Sequence, residues 1–344
     1  MPQVRIIAPN WVSSQLKTQL RVEIVTKRVE VFGSQLLMCH WCLSDAVKVL
    51  SGAVVAPWIL ENQKNCGEAE SLSFYCLCNS CGLHFFSRRF SEEELNTIYS
   101  HYRDSSYQKK RQRYEPWYTE KVNLSIGNDL PTIKVRQENL KKLICEAHLS
   151  GIVDLPKVIV DWGGDKGQFI PIFGSSQQSY VYEVSDATPA FGVDRLFSTD
   201  QIEQKLPDLF MVCHVLEHDH GARNLVSKIA ALAKPSSLLY VEVPLDRPEV
   251  VPDRLSPSKQ ILKHRFFWIF IDFYSLVTMR VLKLKLPFQV LKQSEHVNFF
   301  CQKSLVKVVE TLGFKLIIAK EFCLVKSKSG APESKALGVL FKRQ

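Results

Sequence analysis

No stretch of this 344-residue chain is apolar for long enough to cross a bilayer. The longest, Phe266 to Met279, contains Asp272 and falls short of the ~18–20 apolar residues a spanning helix needs. The N-terminal MPQVRIIAPNWVSS lacks a charged region followed by an apolar one, so no secretory signal is read and a cytoplasmic location is expected. Internal repeats and low-complexity tracts are missing. Ten cysteines are too few for a disulfide scaffold. With 46% apolar and 23% charged residues, the chain is not disordered, collagenous or a coiled coil. The net charge of +9 is modest and by itself selects neither nucleic acid, membrane nor anionic substrate. The length suggests two domains.

The cysteines present are unevenly placed. Cys39-x2-Cys42 and Cys78-x2-Cys81 form two knuckles, each able to bring two thiolates to one tetrahedral ion. The stretch between them is longer than the ~15–20 residues usual for such pairs, so it holds a loop or an extra hairpin. Gly82 suits the tight turn after the second knuckle, and Cys66 and Cys76 remain as spare or substitute ligands. The spacing favours Zn2+ over buried free thiols.

Periodicity divides the chain. Residues 20–32 alternate apolar and polar and predict one or two strands. Ser91 ahead of three glutamates predicts a helix start. Residues 133–150 have helical apolar spacing and end at Gly151. From 157 onward short apolar strands alternate with helices. Strands are predicted at 157–162, 179–184, 209–214, 237–243, 314–322 and 335–342, and helices at 166–174, 221–233 and 303–312. That order implies an α/β fold whose mostly parallel sheet is covered on both faces, with the last two strands as an antiparallel edge hairpin. The domain boundary is placed between 125 and 126.

VIVDWGGDKGQF (158–169) reads as a strand ending in Asp161, a glycine turn and a helix start. Gly163 and Gly164 permit close approach by a ligand, and a helix start offers free N–H groups to an anion. The spacing is not G-x-G-x-x-G, so the dinucleotide fingerprint is not met. Glu183, ending the next strand, can accept hydrogen bonds from both ribose hydroxyls of a nucleoside.

DWGGDKG, YEVSD, PDLFMVCHVLEH and LAKPSSLLYVEVP, in that order, resemble class I S-adenosylmethionine-dependent methyltransferases, over about residues 155–344. SEHVNFFCQKSLVKVVETLGFKLI resembles a segment of one branch, and the cysteine segment resembles the N-terminal zinc ribbon fused to it. The resemblance implies a Rossmann-like seven-stranded sheet. It implies S-adenosylmethionine held by Asp161, Gly163, Gly164, Gly167, Glu183, His214 and Glu217, with Asp200 against adenine. It also implies an acceptor that is a sugar or nucleotide-linked sugar in cell-surface polysaccharide synthesis. Asp165 stands where the family usually has its middle glycine.

Methyl transfer to a hydroxyl or acidic carbon needs a base, worth ~10²–10⁴ in rate. His296 is the first choice and His214, at the end of the fourth strand, the second. Two other functions compete. One is a non-catalytic scaffold with a degenerate turn at Asp165. The other is a methyltransferase on RNA or protein gripping through QKKRQR (108–113), ranked last because that run suits a solvated helix face. The insert 255–292 is apolar, aromatic and flanked by Lys263, Arg265, Arg280, Lys283 and Lys285. It reads as a helical lid or dimer face over the substrate cleft, or as a peripheral membrane contact. Oligomeric state is not legible.

Overall fold

The computed structural model describes residues 37–61, 72–99, 101–102, 104–185, 187–248, 291–325 and 334–344, with isolated positions at 269, 270, 273 and 277. The strands predicted within 20–32, Cys66 and nearly all of the 255–292 insert lie outside the described residues. Cys39–Gln344 forms one compact unit.

Two sheets build that unit. The first begins with β1 (Val47–Val55), the short helix α1 (Pro57–Leu60), β2 (Leu72–Cys78) and β3 (His84–Phe86). β1, β2 and β3 pair antiparallel, so the long gap between the knuckles is a hairpin, as its length predicts. Three helices follow: α2 (Glu92–Tyr99), α3 (Ser105–Gln112) and α4 (Glu120–Ser125). At the start of α2 the Glu94 amide donates to Ser91 Oγ and the Ser91 amide to Glu94 Oε2, so the predicted cap is present. Helix α5 (Leu130–Leu149) is capped by Asp129, which accepts from the Thr132 amide, and ends at Gly151 with φ +70°.

The second sheet takes β4 (Val158–Trp162), β5 (Gln178–Tyr182), β6 (Asp194–Leu196), helix α6 (Thr199–Lys205), β7 (Leu209–Cys213), helix α7 (Ala222–Leu232) and β8 (Leu238–Pro244). Beyond the insert come β9 (Leu291–Gln293), β10 (Asn298–Phe299), helix α8 (Gln302–Val309), β11 (Phe314–Val325) and β12 (Ser334–Arg343). The seven-stranded order is β11-β12-β8-β7-β4-β5-β6. The five strands from β8 to β6 are parallel; β12 and β11 form the antiparallel edge hairpin. Every residue of β7 is buried, as a parallel strand covered on both faces requires.

Three expectations need correction. No helix spans 166–174. Gly163, Asp165 and Gly167 have φ of +70°, +56° and +71°, so every second residue is left-handed and no helical ladder can start. Pro171 then removes an amide donor and disfavours helix at Ile170. The segment is a chain of turns closed by Gly167 N–H to Gly164 O (2.8 Å), and it offers no helix N-terminus to an anion. Second, QKKRQR is not wholly a solvated face. The Arg111 guanidinium lies 3.9 Å from the centre of the Tyr118 ring and pairs with Glu115 (2.6 Å) and Glu295 (2.9 Å). Third, the end of the insert is strand: Leu291 and Lys292 belong to β9.

The small sheet is not built from the N-terminal segment alone. Its order is β10-β3-β2-β1-β9, so strands from beyond residue 290 complete both of its edges. Trp41 Nε1 donates to Ser304 O at 2.6 Å, and Arg223 Nη1 donates to Trp41 O at 3.0 Å. Arg89 Nη2 donates to Asn298 Oδ1, whose own amide donates to the carbonyls of Leu216 and Asp219.

Candidate active site and thiolate cluster

From β4 the chain runs outward to β5 and β6, then returns to the other side of β4 as β7. The carboxyl ends of β4 and β7 therefore flank the point where strand order reverses, the usual ligand crevice of an open α/β sheet. Asp161 and the glycine turn leave β4 there; His214, Glu217 and His218 leave β7. The two walls touch: a Cβ on Gly163 would lie 2.8 Å from Val215 Cγ2.

Asp161 is fully buried, and neither carboxylate oxygen has a hydrogen-bond partner. Burial pushes its carboxyl up to about 7, against the pull of Arg136. Glycine is required beside it, since a Cβ on Gly164 would sit 2.2 Å from Asp161 Oδ2. An unpaired buried acid under a cradle with no side chain fits a cationic ligand carrying amino and sulfonium groups, as S-adenosylmethionine does. Asp165 takes the left-handed conformation that Asp tolerates better than most residues, so it replaces the usual glycine without breaking the turn. Its amide donates to Glu183 Oε2 (3.1 Å), and Glu183 Oε1 accepts from the Ser185 amide (2.9 Å). Glu183 is thereby fixed at the end of the strand next to the turn. Asp200 is exposed in the first turn of α6, one strand further out.

Substituting Gly164 with alanine is expected to weaken cofactor binding at least tenfold. Overpacking costs about 1–3 kcal/mol, and tenfold is about 1.4 kcal/mol. Calorimetry with S-adenosylhomocysteine on wild type and variant checks it.

The β7 wall is a buried ion network. His214 Nδ1 is 3.1 Å from Glu217 Oε1, and its Nε2 is 3.3 Å from Glu242 Oε1. Glu242 also pairs with Arg136 (2.6 Å) and accepts from Tyr240 Oη (2.7 Å). The Arg136 guanidinium is stacked 3.7 Å from the centre of the Phe169 ring. Burial opposes charge on His214, but Glu217 and Glu242 outweigh it and hold the ring up at about 9. At neutral pH His214 is therefore a cation in an ion pair, poorly suited to accept a proton. Burial raises the Glu217 carboxyl, yet the pairing with His214 leaves it below its ordinary value.

The sign of the resulting pH dependence follows. A histidine raised from about 6.5 to about 9 stabilises fully below the lower value, and that stability is lost as pH rises through the upper one. The melting temperature is expected to fall between pH 6.5 and 9.5, and to fall less in His214→Gln. Thermal scans on both proteins test this; parallel curves would remove His214 as the source.

His296, between β9 and β10, faces the same crevice. Its ring meets that of His218 edge-on at 4.6 Å between centres, and its Nδ1 is 3.7 Å from Asp246 Oδ2. Burial pushes the His218 ring down to about 4, so it is neutral at pH 7. Preceding His296, Glu295 is held by Arg111 and by the Tyr107 hydroxyl, and the Glu217 carbonyl accepts from the Val297 and Asn298 amides. His218, Arg136, Glu242 and Asp246 were not among the predicted site residues. Arg136 interrupts the buried stripe of α5, and Glu242 stands alone in a buried strand; both signals were visible in the sequence.

The four knuckle cysteines come together, their sulfurs all within 4.8 Å of one another. Cys39 and Cys81 sulfurs are 3.8 Å apart, and Cys42 and Cys78 are 3.5 Å apart. A tetrahedral ion with Zn–S of ~2.3 Å spaces its sulfurs by about 3.8 Å, so the cluster fits Zn2+. The two knuckles have the same form. Leu43 N–H donates to Cys39 O and Gly82 N–H to Cys78 O, each at 2.8 Å, and both donors have positive φ (60° and 83°). The buried Cys76, on β2, lies outside the cluster.

Comparison with known proteins gives the following. Residues 133–318, more than half of the chain, match the family described as a methyltransferase domain. No curated protein matches the chain. Among solved structures, 1,6-didemethyltoxoflavin-N1-methyltransferase from Burkholderia thailandensis is similar at 12% identity, covering 74% of this chain and 91% of its own, with a TM-score of 0.41. The N-methyltransferase NodS from Bradyrhizobium japonicum gives 13% identity, 62% and 89% coverage and a TM-score of 0.35. Magnesium protoporphyrin IX methyltransferase from Synechocystis gives 14%, 72% and 100%, and 0.37.

Proposed function

The chain belongs to the methyltransferase-domain family and is a class I S-adenosylmethionine-dependent methyltransferase; from that premise we propose that it methylates a sugar or nucleotide-linked sugar, in cell-surface polysaccharide synthesis, with His296 as the acceptor-side catalytic residue. The observation that carries this reading is the crevice between β4 and β7. One wall offers an unpaired buried carboxylate under a glycine cradle, and the facing wall offers paired histidines.

S-adenosylmethionine, when bound, supplies an electrophilic methyl group on a sulfonium. The protein's part is to hold donor and acceptor in line, an effect worth ~7–11 kcal/mol. Asp161 and the turn through Gly163, Gly164 and Gly167 receive the charged end of the cofactor. Glu183, oriented by the Asp165 and Ser185 amides, would accept from the ribose hydroxyls, and Asp200 would contact the adenine. His214 and Glu217 form the ion-paired floor. His296 takes the acceptor proton at Nε2, with Nδ1 turned toward Asp246. A Zn2+ held by Cys39, Cys42, Cys78 and Cys81 supplies structure and takes no part in transfer. The ribbon fixes His296, because β3 pairs with β10 two residues beyond it.

Among the described residues no helix is long and apolar enough to cross a membrane. The test is methyl transfer from labelled S-adenosylmethionine to a panel of nucleotide-linked sugars, with bulk RNA and protein in parallel. Label in a sugar supports the reading. Label confined to RNA or protein rejects it.

A further inference from the structure

Two groups of three or more metal-capable side chains occur among the described residues. One is the thiolate cluster. The other is Glu217, His218 and His296, each offering one ligand atom within 4.8 Å of the others. We infer that Glu217, His218 and His296 form a second metal site, for a divalent first-row cation, on the acceptor side of the crevice.

Three observations carry this. First, the donor set is two imidazoles and one carboxylate, which suits a six-coordinate first-row ion and leaves positions for exogenous oxygen ligands. Second, two of the three donor side chains have buried, undersatisfied atoms. Glu217 is fully buried and neither of its oxygens has a hydrogen-bond partner beyond the ion-pair contact to His214; His218 Nδ1 is also buried and unpartnered. Leaving such groups unpaired is costly, and a cation would satisfy all of them. Third, the group is held from three sides. The Glu217 carbonyl is bonded to the Val297 and Asn298 amides, His214 braces the Glu217 carboxylate, and Asp246 stands behind His296 as an outer carboxylate.

An ion of octahedral preference spaces neighbouring donors by about 3 Å, so the three side chains close by a small movement on binding. This inference rests on the methyltransferase reading and alters one part of it. With a cation present, His296 would serve as a ligand in place of proton acceptor, and an acceptor hydroxyl held at the cation, made more acidic by it, would release its proton to solvent. That favours an acceptor presenting two adjacent oxygens, such as a vicinal diol, over an isolated amine.

The site is tested by Mn2+ titration followed by electron paramagnetic resonance, on full-length protein loaded with one equivalent of zinc. Manganese is a hard ion that leaves the thiolate cluster to zinc. The expected result is one bound Mn2+ per chain, weakened at least about tenfold in His218→Ala and in His296→Ala. Unchanged secondary structure and unchanged S-adenosylhomocysteine affinity in both variants show that the crevice still folds. Absence of bound Mn2+ in the wild type, or equal binding in wild type and both variants, overturns the inference. Calorimetry with S-adenosylhomocysteine on the same samples separates the two readings. Cofactor binding without Mn2+ removes only the cation site; Mn2+ binding without cofactor leaves the cation site and removes the acceptor-side role argued above.

Discussion

His296→Ala lowers kcat by about 10²–10⁴-fold, the range lost with a positioned acid–base group, while cofactor affinity stays at the wild-type value. The split follows from placement. His296 lies between β9 and β10, beside His218 and Asp246, whereas the cofactor cradle leaves β4. A merely structural histidine would lower stability and affinity together. His214→Ala provides the contrast. His214 is ion-paired to Glu217 and Glu242, so its loss leaves two buried carboxylates short of a partner. Breaking a buried pair typically costs about 3–5 kcal/mol, so the variant is expected to show mainly as a lower melting temperature. Steady-state kinetics, cofactor calorimetry and thermal scans on the two variants separate these roles. Equal loss of stability in both would remove His296 from catalysis.

Stripping zinc with a chelator, or substituting Cys39 with serine, is the second large effect. Structural zinc contributes on the order of 10 kcal/mol in small zinc-finger domains. A cooperative unit that feels about 4 kcal/mol of this would melt about 8–16 °C lower, at about 2–4 °C per kcal/mol. Activity is expected to fall with the fold of the small sheet, because that sheet holds the segment that carries His296. Phe86 N–H donates to Val297 O beside His296, and Trp41, inside the first knuckle, donates to Ser304 O. Metal analysis showing one zinc per chain, with melting and turnover before and after chelation, is the measurement. Turnover and melting that survive complete removal of the four-thiolate metal would contradict it.

Six strands of the seven-stranded sheet were legible as short apolar runs, and each of those runs became a strand; β6, only Asp194–Leu196 with one buried residue, was not. The thiolate cluster was legible because C-x2-C is a local geometry: each knuckle is closed by a hydrogen bond within itself. What long-range contacts decide was not legible. Nothing local shows that Leu291–Gln293 pairs with β1, or that Asn298 pairs with Phe85, since those partners are far apart in sequence. Arg111 looked like part of a basic run because its partner Glu295 is far away in sequence, although Glu115 and Tyr118 follow it closely. The false helix at 166–174 came from the strand–turn–helix order expected after β4; the alternating left-handed residues of the turn and Pro171 override it. His218 sat in the same motif as Glu217, but its importance depends on His296, which only the fold brings alongside.

The central claim is that the turn at the end of β4 binds the methyl donor although Asp165 occupies a usual glycine position. Calorimetry of folded, zinc-loaded protein with S-adenosylhomocysteine tests it most directly. The account predicts one site per chain, weakened at least tenfold in Gly164→Ala. Absence of binding to the wild-type protein would contradict it.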